Sequence, residues 1–540
     1  MHRVLVANRG EIALRIFRAC AEDGLETVAV AAPDDLGSLH ARSAGSTVEI
    51  SSYLLPGEHV RAARESGADA VHPGYGFLAE SADLAEAVLA AGLTWIGPPP
   101  AALRAGGDKL AAKETARANG IPVLATGSPE EIGFPLLVKA AAGGGGRGMR
   151  VVRTAAELED AVEAARREAK AAFGDDTVFL ERYLERPHHV EVQLLADRHG
   201  TVVALGERDC SVQRRHQKVL EESPSPAVDP QLREAMSEAA VAFARAIGYE
   251  NAGTAEFVLD RGEFFFLELN ARIQVEHPVT ELATGVDLVR AQLAIARREP
   301  LEVTPELSGH AVEVRLYAED PHTFLPQAGR VDRLVLPRSV RVDAGVAEGD
   351  EIGTSYDPMI AKLIAHAPTR AEALDRLGEA LAETEVDGVT TNLPFLRWLV
   401  AHPVVRAGRA TTAFLTEHPP LSRTAPAPAP AWAEPWRLNL APPPPSPPPD
   451  AKAAADHAAG PEQSSVAAPM PGTVIKVLVA AGDRVAARQP LVVLEAMKME
   501  TPLVSPYDAT VRAVHVAEGD RVAGGTLLVE LEDEIRSRHG

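Results

Sequence analysis

Glu495-Ala496-Met497-Lys498-Met499-Glu500 is the stretch from which the organisation of this chain can be read. It places one lysine between two methionines, directly after an apolar run at 491–494. Residues 468–494 align with residues 505–531 at an offset of 37 and are identical at 14 of 27 positions. Each copy has short β-rich runs broken by a Gly-Asp turn, and neither could cover its own apolar face. The repeat predicts a two-fold β-sandwich with Lys498 on an exposed hairpin between its halves.

This region resembles a biotinyl (biotin carboxyl carrier) domain. The resemblance rests on the entry Pro469-Met470-Pro471-Gly472, the methionine pair about Lys498 and the internal repeat. It implies biotin bound covalently to Lys498, attached by a biotin protein ligase. Lipoyl domains share the fold but usually lack the paired methionines, and an ordinary surface lysine is the third interpretation.

Length and composition limit what the rest of the chain can be. At 540 residues the chain predicts three or four domains. A formal net charge of −22 argues against nucleic acids and anionic membranes as partners. The two cysteines, Cys20 and Cys210, lack metal-type spacing and are expected to be reduced thiols. No apolar run approaches the 18 residues of a membrane span and no secretory segment opens the chain, which predicts a cytoplasmic protein.

The N-terminal region has the pattern of an α/β domain. Residues 3–7 and 27–31 predict strands, and residues 10–21 between them predict a helix. Asn8-Arg9-Gly10-Glu11 then falls at a strand-to-helix turn, where open sheets bind ligands. Because the turn lacks the GxGxxG spacing, a dinucleotide site is not expected.

A glycine-rich segment at 142–150 follows the strand that ends in Lys139. Glycines cost conformational entropy on ordering, so four in succession predict a flap whose backbone N–H groups close over phosphates. A flexible surface loop is the other interpretation. The strand at 177–184 is expected to border the adenine, and Glu181 to contact the base or the ribose.

The segments 254–260 and 264–270 predict a hairpin around Arg261-Gly262-Glu263. A two-residue loop would place Glu256 and Glu268 on opposite faces. A three-residue loop with Gly262 at a positive φ would pair them on one face, with Asn270 beside them, and we predict this loop. Carboxylates among so many aromatic residues need a cation, and oxygen ligands select Mg²⁺ or Mn²⁺.

Charged residues after this hairpin complete the predicted site. Alternation along the chain places Arg272, Gln274 and Glu276 with the metal ligands. In so acidic a chain, a cluster of cations indicates an anionic substrate pocket; its members are Lys109, Lys139, Arg147, Lys218, Arg272 and Arg341. Without a second group of soft ligands, the histidines are expected to bind phosphate or ribose; they are His188, His189 and His216.

From residue 1 to about residue 415 the chain resembles the biotin carboxylases of the ATP-grasp superfamily. The motifs that carry this resemblance are NRGEIA, HPGYGFLAE, GGGGRGMR, ERDCSVQRRHQK and ELNARIQVEHPVTE. It implies an ATP site of Lys109, Lys139, Gly144, Gly145, Gly146, Glu181, His189, Gln213 and His216. It implies a metal site of Glu256, Glu268 and Asn270. It implies a bicarbonate site of Lys218, Arg272, Gln274, Val275 and Glu276, with Glu276 as base and Arg341 steadying the biotin ureido oxygen.

The predicted fold is therefore an α/β N-terminal domain, α+β ATP-grasp and C-terminal domains, and an all-β biotinyl domain. The predicted bounds are 1–105, 106–304 with the flap at 142–150, 305–418, a Pro/Ala-rich linker at 419–465, and 466–533. Eleven of the 25 residues at 425–449 are proline, which predicts an extended tether. Trp436-Arg437-Leu438-Asn439 resembles the opening of a coupling domain whose remainder is missing.

The combined resemblance implies the α subunit of a biotin-dependent acyl-CoA carboxylase, a ligase that forms a C–N bond. No segment resembles a carboxyltransferase, so a separate β subunit is expected as partner, with a homodimer of the carboxylase part. The alternatives are a subunit of a 2-oxo-acid carboxylase and a non-catalytic carrier scaffold. The acyl-CoA itself cannot be predicted from this chain.

Overall fold

The computed structural model describes residues 1–141, 149–173, 175–214, 217–419, 465–470, 472–496 and 499–533. The predictions for Gly144, Gly145, Gly146, Arg147, His216, Lys498 and most of the linker lie outside these residues. Within the described ranges, no helix has the length and apolar character needed to cross a membrane.

The N-terminal region alternates strands and helices, as its sequence predicts. Its five strands are all parallel, in the order β3-β2-β1-β4-β5. At their carboxyl ends, Asn8 Nδ2 donates to the carbonyls of Pro73 and Tyr75, both at 2.7 Å, and so joins two of the predicted motifs. The elements are β1 Arg3–Val6, α1 Gly10–Glu22, β2 Glu26–Ala31, α2 Leu39–Ser43, β3 Ser46–Glu49, α3 Pro56–Ser66, β4 Ala70–His72, α4 Ala82–Ala90, β5 Thr94–Trp95 and α5 Pro100–Gly107.

A small antiparallel sheet, in the order β7-β6-β8, follows helix α6. Asp108 caps α6 because its side chain accepts hydrogen bonds from the N–H groups of Leu110 and Ala111. The predicted flap connects β6 to β7. The elements are α6 Lys109–Ala118, α7 Pro129–Ile132, β6 Leu136–Ala140, β7 Arg150–Val152, α8 Leu158–Phe173 and β8 Val178–Arg182.

An eight-stranded antiparallel sheet forms the centre of the carboxylase part, in the order β13-β12-β9-β10-β11-β14-β19-β17. Its first strands are β9 His188–Ala196, β10 Val202–Arg214, β11 Gln217–Ser223, β12 Asn251–Asp260, β13 Glu263–Asn270 and β14 His310–Tyr317. The helices of this part are α9 Pro230–Ala246, α10 His277–Thr284 and α11 Leu288–Ala296. Because β14 pairs with β11, the sheet continues across the domain boundary predicted near residue 305.

The remaining carboxylase elements complete that sheet and add two short strand pairs. They are β15 Gly329–Arg330, β16 Arg333–Val335, β17 Arg341–Ala344, β18 Glu351–Ile352, β19 Met359–Ala367, α12 Arg370–Glu383, β20 Glu385–Asp387, α13 Leu393–Ala401, α14 Pro403–Arg406 and α15 Phe414–Glu417. Strand β15 pairs with β18, and β16 pairs with β20. Helices α12 and α13 bury their apolar faces against this end of the large sheet.

The C-terminal repeat folds into two four-stranded sheets, in the orders β21-β28-β26-β23 and β25-β24-β22-β27. The elements are β21 Ser465–Ala467, β22 Gly472–Val477, β23 Arg484–Val485, β24 Pro490–Ala496, β25 Met499–Val504, β26 Ala509–Val514, β27 Arg521–Val522 and β28 Leu527–Asp533. The two copies exchange their short strands, because β23 pairs with β26 and β22 pairs with β27. The predicted two-fold β-sandwich is confirmed.

Candidate active site

The β12–β13 hairpin has a two-residue loop, Arg261-Gly262, in place of the predicted three-residue loop. Both loop residues have positive φ angles, 51° and 83°, which this type of tight hairpin turn requires. Farther along, the pairing passes over Leu267, which forms a β-bulge. The bulge shifts the register by one residue and sets Glu256 opposite Glu268. The predicted pairing of the two glutamates is confirmed, and the predicted loop length is wrong.

The Glu256 carboxylate is buried and accepts three hydrogen bonds. The donors are His189 Nε2 at 3.0 Å, Lys218 Nζ at 2.9 Å and Gln274 Nε2 at 2.9 Å. The other ring nitrogen of His189 contacts the amide of Gln213. Burial opposes ionisation of Glu256, but Lys218 and His189 outweigh it and hold its pKa well below the usual range. Four residues predicted for ATP or bicarbonate thus meet around one predicted metal ligand.

The two other predicted metal ligands, Glu268 and Asn270, also face cations. Lys109 Nζ lies 3.4 Å from Glu268 Oε2, and Arg272 Nη2 donates to Asn270 Oδ1 at 3.0 Å. Asn270 is buried, and its Nδ2 has no hydrogen-bond partner in the described part of the chain. A half-paired buried amide suits a side chain that takes part in ligand binding. Three oxygen donors at neighbouring hairpin positions therefore fit Mg²⁺ or Mn²⁺.

Another group of side chains is close enough to share an ion. The ligand atoms of His189, Glu191 and Glu256 all lie within 4.8 Å of one another. The Glu191 carboxylate, however, is bound by Arg208 Nε at 2.5 Å and by Lys218 Nζ. Because two cations occupy the position that a metal would need, this group is an ion-pair network.

Glu276 directly precedes α10 and has a cation on each carboxylate oxygen. Lys218 Nζ donates to Oε1 at 2.6 Å, and Arg315 Nη2 donates to Oε2 at 3.0 Å. The carbonyl of the preceding residue, Val275, accepts a hydrogen bond from Lys362 Nζ at 2.8 Å. Burial opposes the charge, but Lys218 and Arg315 outweigh it and lower the pKa of Glu276 below its usual range. Glu276 is thus ionised at neutral pH and linked to Glu256 through Lys218.

Residues 271–276 form no strand, so the predicted alternation does not explain how their side chains converge. Arg272 Nε lies 3.1 Å from Glu80 Oε2, in the loop that the HPGYGFLAE motif forms. Gln274 Oε1 accepts a hydrogen bond from Arg208 Nη2 at 2.7 Å. Its amide nitrogen donates to Glu256 on the β12–β13 hairpin, the metal hairpin. Contacts with Glu80 and Arg208, rather than strand periodicity, place these two side chains.

Arg341 contacts neither Glu256 nor Glu276 among the described interactions. Its Nη1 donates to Glu281 Oε2 at 2.7 Å, and its Nη2 donates to Asp343 Oδ2 at 2.8 Å. Arg341 and Glu281 line an open cleft of about 330 Å³. The role of Arg341 toward biotin stays a prediction.

The Glu181 carboxylate on β8 is buried between two lysines. Lys139 Nζ on β6 lies 3.1 Å from Oε2, and Lys113 Nζ on α6 binds Oε1. Because Glu181 is 1% exposed, the structure does not support the predicted direct contact of this side chain with adenine or ribose. Any effect on a nucleotide would act through Lys139.

Sequence reasoning missed four buried charged residues that hold the site, Lys113, Glu191, Arg208 and Arg315. Lys113, Glu191 and Arg315 lie outside the quoted motifs, whereas Arg208 belongs to ERDCSVQRRHQK but was not singled out as a site residue. The signal for Glu191 and Arg315 is a charged residue inside an otherwise apolar strand, as in β14, where Glu313 and Arg315 alternate with valine and leucine. Charges in so buried a strand indicate partners on a neighbouring element.

A second pair of buried carboxylates lies beneath α10, which packs against β11 and β14. Glu221 and Glu313 are cross-strand neighbours. Arg315 Nη2, which binds Glu276, also lies 2.6 Å from Glu221 Oε1. Burial raises the pKa of Glu221 to about 7, with Arg315 opposing and Glu276 reinforcing the rise. Burial also raises the pKa of Glu313, against the attraction of Lys362.

Glu221→Gln should weaken the pH dependence of stability. The folded chain keeps this proton to about pH 7, whereas an unfolded chain releases it near the ordinary glutamate value of about 4.3. Stability is therefore lost as the pH rises through that interval. Between about pH 6 and pH 8, the Tm of both proteins should decrease. We expect the decrease for Glu221→Gln to be roughly 2–4 °C smaller than the decrease for wild type. Glu238→Gln, at an exposed glutamate on α9, is the control. Parallel curves for Glu221→Gln and wild type in scanning calorimetry would contradict the prediction.

Oxygen ligands suited to a divalent cation lie on the large sheet, and the cations Lys109 and Lys218 and the base Glu276 lie beside them. This combination fits an ATP-dependent ligase. Four family models match the chain. They are the biotin carboxylase N-terminal domain over 1–103, the ATP binding domain of the carbamoyl-phosphate synthase L chain over 119–304, the biotin carboxylase C-terminal domain over 313–417 and the biotin-requiring enzyme domain over 464–531.

Individual relatives agree with the family models. The biotin carboxylase of Halalkalibacterium halodurans is 47% identical over 441 residues, 77% of this chain and 97% of the relative. The propionyl-CoA carboxylase alpha chain of Ruegeria pomeroyi is 44% identical over 464 residues, 78% of this chain and 68% of the relative. The biotin carboxylase domain dimer of Hydrogenobacter thermophilus 2-oxoglutarate carboxylase, solved with MgADP, ADP and bicarbonate, has a TM-score of 0.76 and 42% identity over 77% of this chain and 97% of its own. The chain belongs to the biotin carboxylase family and joins that ligase to a biotin-requiring domain.

Proposed function

We propose that the chain is the α subunit of an acyl-CoA carboxylase. It carboxylates biotin bound to Lys498, using ATP and bicarbonate, and transfers the carboxyl group to a separate carboxyltransferase β subunit. The observation that carries the proposal is the ionised Glu276 between Lys218 and Arg315, linked through Lys218 to the metal ligand Glu256. The 464-residue match to a propionyl-CoA carboxylase alpha chain favours an acyl-CoA over a 2-oxo acid as final acceptor.

In this proposal Glu276 is the general base that takes the proton of bicarbonate. Lys218 and Arg272 attract the anion, while Gln274 and the backbone of Val275 orient it. An anion that draws Lys218 toward itself weakens the hydrogen bond from Lys218 to Glu276. Glu276 then becomes a stronger base at the moment when its substrate is in place.

The deprotonated bicarbonate would attack the terminal phosphorus of ATP, forming carboxyphosphate and releasing ADP. The nucleotide site is built from Lys109, Lys139, Gly144, Gly145, Gly146, His189, Gln213 and His216, with Glu181 behind Lys139. Glu256, Glu268 and Asn270 would hold Mg²⁺, and the ion would neutralise charge on the phosphate oxygens during transfer. Lys109 Nζ, 3.4 Å from Glu268 Oε2, is placed to bind phosphate oxygens beside the metal ligand.

Carboxyphosphate would release CO₂ and phosphate. Covalently bound biotin would supply the ureido nitrogen that takes up the CO₂, and the proton of that nitrogen would pass to the phosphate. Arg341 would stabilise the ureido oxygen as it gains negative charge. To do so it exchanges one carboxylate partner, Glu281 or Asp343, for that oxygen. The open cleft beside Arg341 supports this role because it gives the ring room to approach.

Three further proposals concern the setting of the enzyme. A biotin protein ligase modifies Lys498, and two copies pair through the carboxylase part, as the Hydrogenobacter thermophilus domain does. We place the enzyme in the cytoplasm, where the two buried thiols, Cys20 and Cys210, stay reduced.

The proposed activity is tested by ATP hydrolysis with free biotin as acceptor. The full chain should hydrolyse ATP only when bicarbonate, Mg²⁺ and biotin are all present. A carrier scaffold would show no hydrolysis under these conditions. Purification of the β subunit with the chain, followed by transfer assays with acyl-CoAs and 2-oxo acids, separates the two classes of acceptor.

A further inference from the structure

Helix α6 carries two lysines one turn apart, and the predicted site uses only the first. Lys109 contacts Glu268 on the large sheet, and Lys113 contacts Glu181 on the small sheet. Residues four apart project from the same face of a helix. The same face of α6 therefore connects the metal hairpin with the sheet that carries the glycine-rich flap.

Lys113, Glu181 and Lys139 form a buried group of two cations and one anion. The side chains of Lys113 and Glu181 are each 1% exposed, and that of Lys139 is 10% exposed. The two lysines bind different oxygens of the carboxylate. Lys139 is thus the only one of these three side chains that is partly exposed, and Lys113 binds Glu181 from the protein interior.

The charge balance of this group decides what Lys139 can bind. Burial opposes ionisation of Glu181, but Lys139 and Lys113 outweigh it and lower its pKa, so the carboxylate is charged. Burial lowers the pKa of Lys113, and Glu181 opposes this shift. With both lysines protonated, one carboxylate cannot neutralise them, and the group carries a net positive charge. Without Lys113, Glu181 and Lys139 would form a neutral pair, and Lys139 would have to leave a buried unpaired carboxylate to bind phosphate.

We propose that Lys113 is a positioning residue for nucleotide binding: it neutralises Glu181 from the protein interior and leaves Lys139 available to the phosphates of ATP. This inference rests on the proposed ATP site. In this inference the buried Glu181 positions Lys139, whereas the sequence predicts that Glu181 contacts the nucleotide directly. Lys113 weakens the ion pair between Glu181 and Lys139 enough for Lys139 to bind phosphate instead.

A structural role for Lys113 makes a different prediction. If its ion pair only fastened α6 to β8, its loss would lower the Tm without a selective effect on nucleotide affinity. If it sets the charge at Lys139, its loss raises the Kd for MgADP and the KM for ATP while kcat at saturating ATP changes little. A second substitution at Glu181 should then reverse much of the effect, because it restores a net positive charge at Lys139.

The test measures MgADP binding to the full chain by calorimetry, together with KM and kcat for ATP. We expect Lys113→Gln to raise Kd and KM about tenfold, or about 1.4 kcal/mol. Lys113→Gln combined with Glu181→Gln should regain most of the loss, and Lys113→Arg should stay within about threefold of wild type. Arg117→Gln removes the same charge from an exposed position one turn farther along α6 and should change neither constant by more than about twofold.

The outcomes separate this inference from the proposed function. A wild-type chain that does not bind MgADP overturns the ATP site itself. Binding by wild type with an equal Kd for Lys113→Gln overturns the positioning role, and so does a double variant as weak as the single one. If Lys113→Gln does not fold, Lys113→Arg decides: a folded arginine variant with a tenfold higher Kd shows that charge is not what Lys113 supplies.

Discussion

Lys498→Arg should yield a protein that carries no biotin and transfers no carboxyl group to an acyl-CoA. Biotin is joined to lysine through an amide of the side-chain amine, and a guanidinium keeps the charge but does not form that bond. Intact-mass analysis after co-expression with a biotin protein ligase should show one biotin on the wild-type chain and none on the variant. ATP hydrolysis with free biotin should persist, because the carboxylase residues are untouched.

Lys476→Arg provides the matched control for this experiment. Lys476 is an exposed lysine on β22 of the same domain, and it lacks the flanking methionines. We expect this variant to keep its biotin and its transfer activity. Biotin remaining on Lys498→Arg would refute the assignment, and loss from both variants would indicate a folding defect in the domain.

The C-terminal domain was the part of the fold that sequence reasoning predicted most fully. Strands β22, β23 and β24 correspond to β26, β27 and β28, because the residue numbers of each pair differ by 37. Local pattern was sufficient because a repeated apolar face needs a second copy of itself as cover. Lys498 falls between β24 and β25, whose end residues Ala496 and Met499 pair with each other, but it lies outside the described residues.

The metal hairpin shows why a correct pairing can follow from an incorrect loop. Side chains alternate with a period of two, so a shift of one residue anywhere between the turn and Glu256 exchanges the two faces. A three-residue loop and a bulge at Leu267 each supply one such shift. The sequence contains Gly262, which suits both turns, and no residue type that marks the bulge. The one indication of a one-residue register shift was that Glu256 and Glu268, as charged residues, should share a face of the hairpin.

Buried charges whose partners lie on distant elements were beyond prediction for a different reason. Arg208 binds Glu191, Gln193 and Gln274, and Lys113 binds a strand 68 residues later in the sequence. Such partners are determined by how helices and strands pack, which local sequence does not encode. An unexplained charge in an apolar strand can be recognised, but its partner cannot be named.

Glu256→Gln should lower bicarbonate-dependent ATP hydrolysis by about 10²–10³-fold. The substitution keeps the size of a side chain that three donors surround, but removes the charge that balances Lys218 and would hold the metal. Biotinylation of Lys498 should be unaffected, because the biotinyl domain has its own core. Steady-state hydrolysis and intact mass measure the two effects on the same preparation.

The control at the same hairpin is Glu263→Gln, an exposed glutamate beside the turn, which should retain near wild-type hydrolysis. Metal titrations then separate two explanations of the loss at Glu256. A metal ligand predicts that Glu256→Gln and Glu268→Gln both need more Mg²⁺ for half-maximal hydrolysis, since each removes one oxygen charge from the ion. A role in positioning Lys218 alone predicts a lower rate at Glu256 with an unchanged Mg²⁺ requirement, and no effect at Glu268, which contacts Lys109 instead. Hydrolysis within about threefold of wild type in Glu256→Gln would contradict both, because a buried carboxylate bound by Lys218 and His189 would then have no part in the reaction.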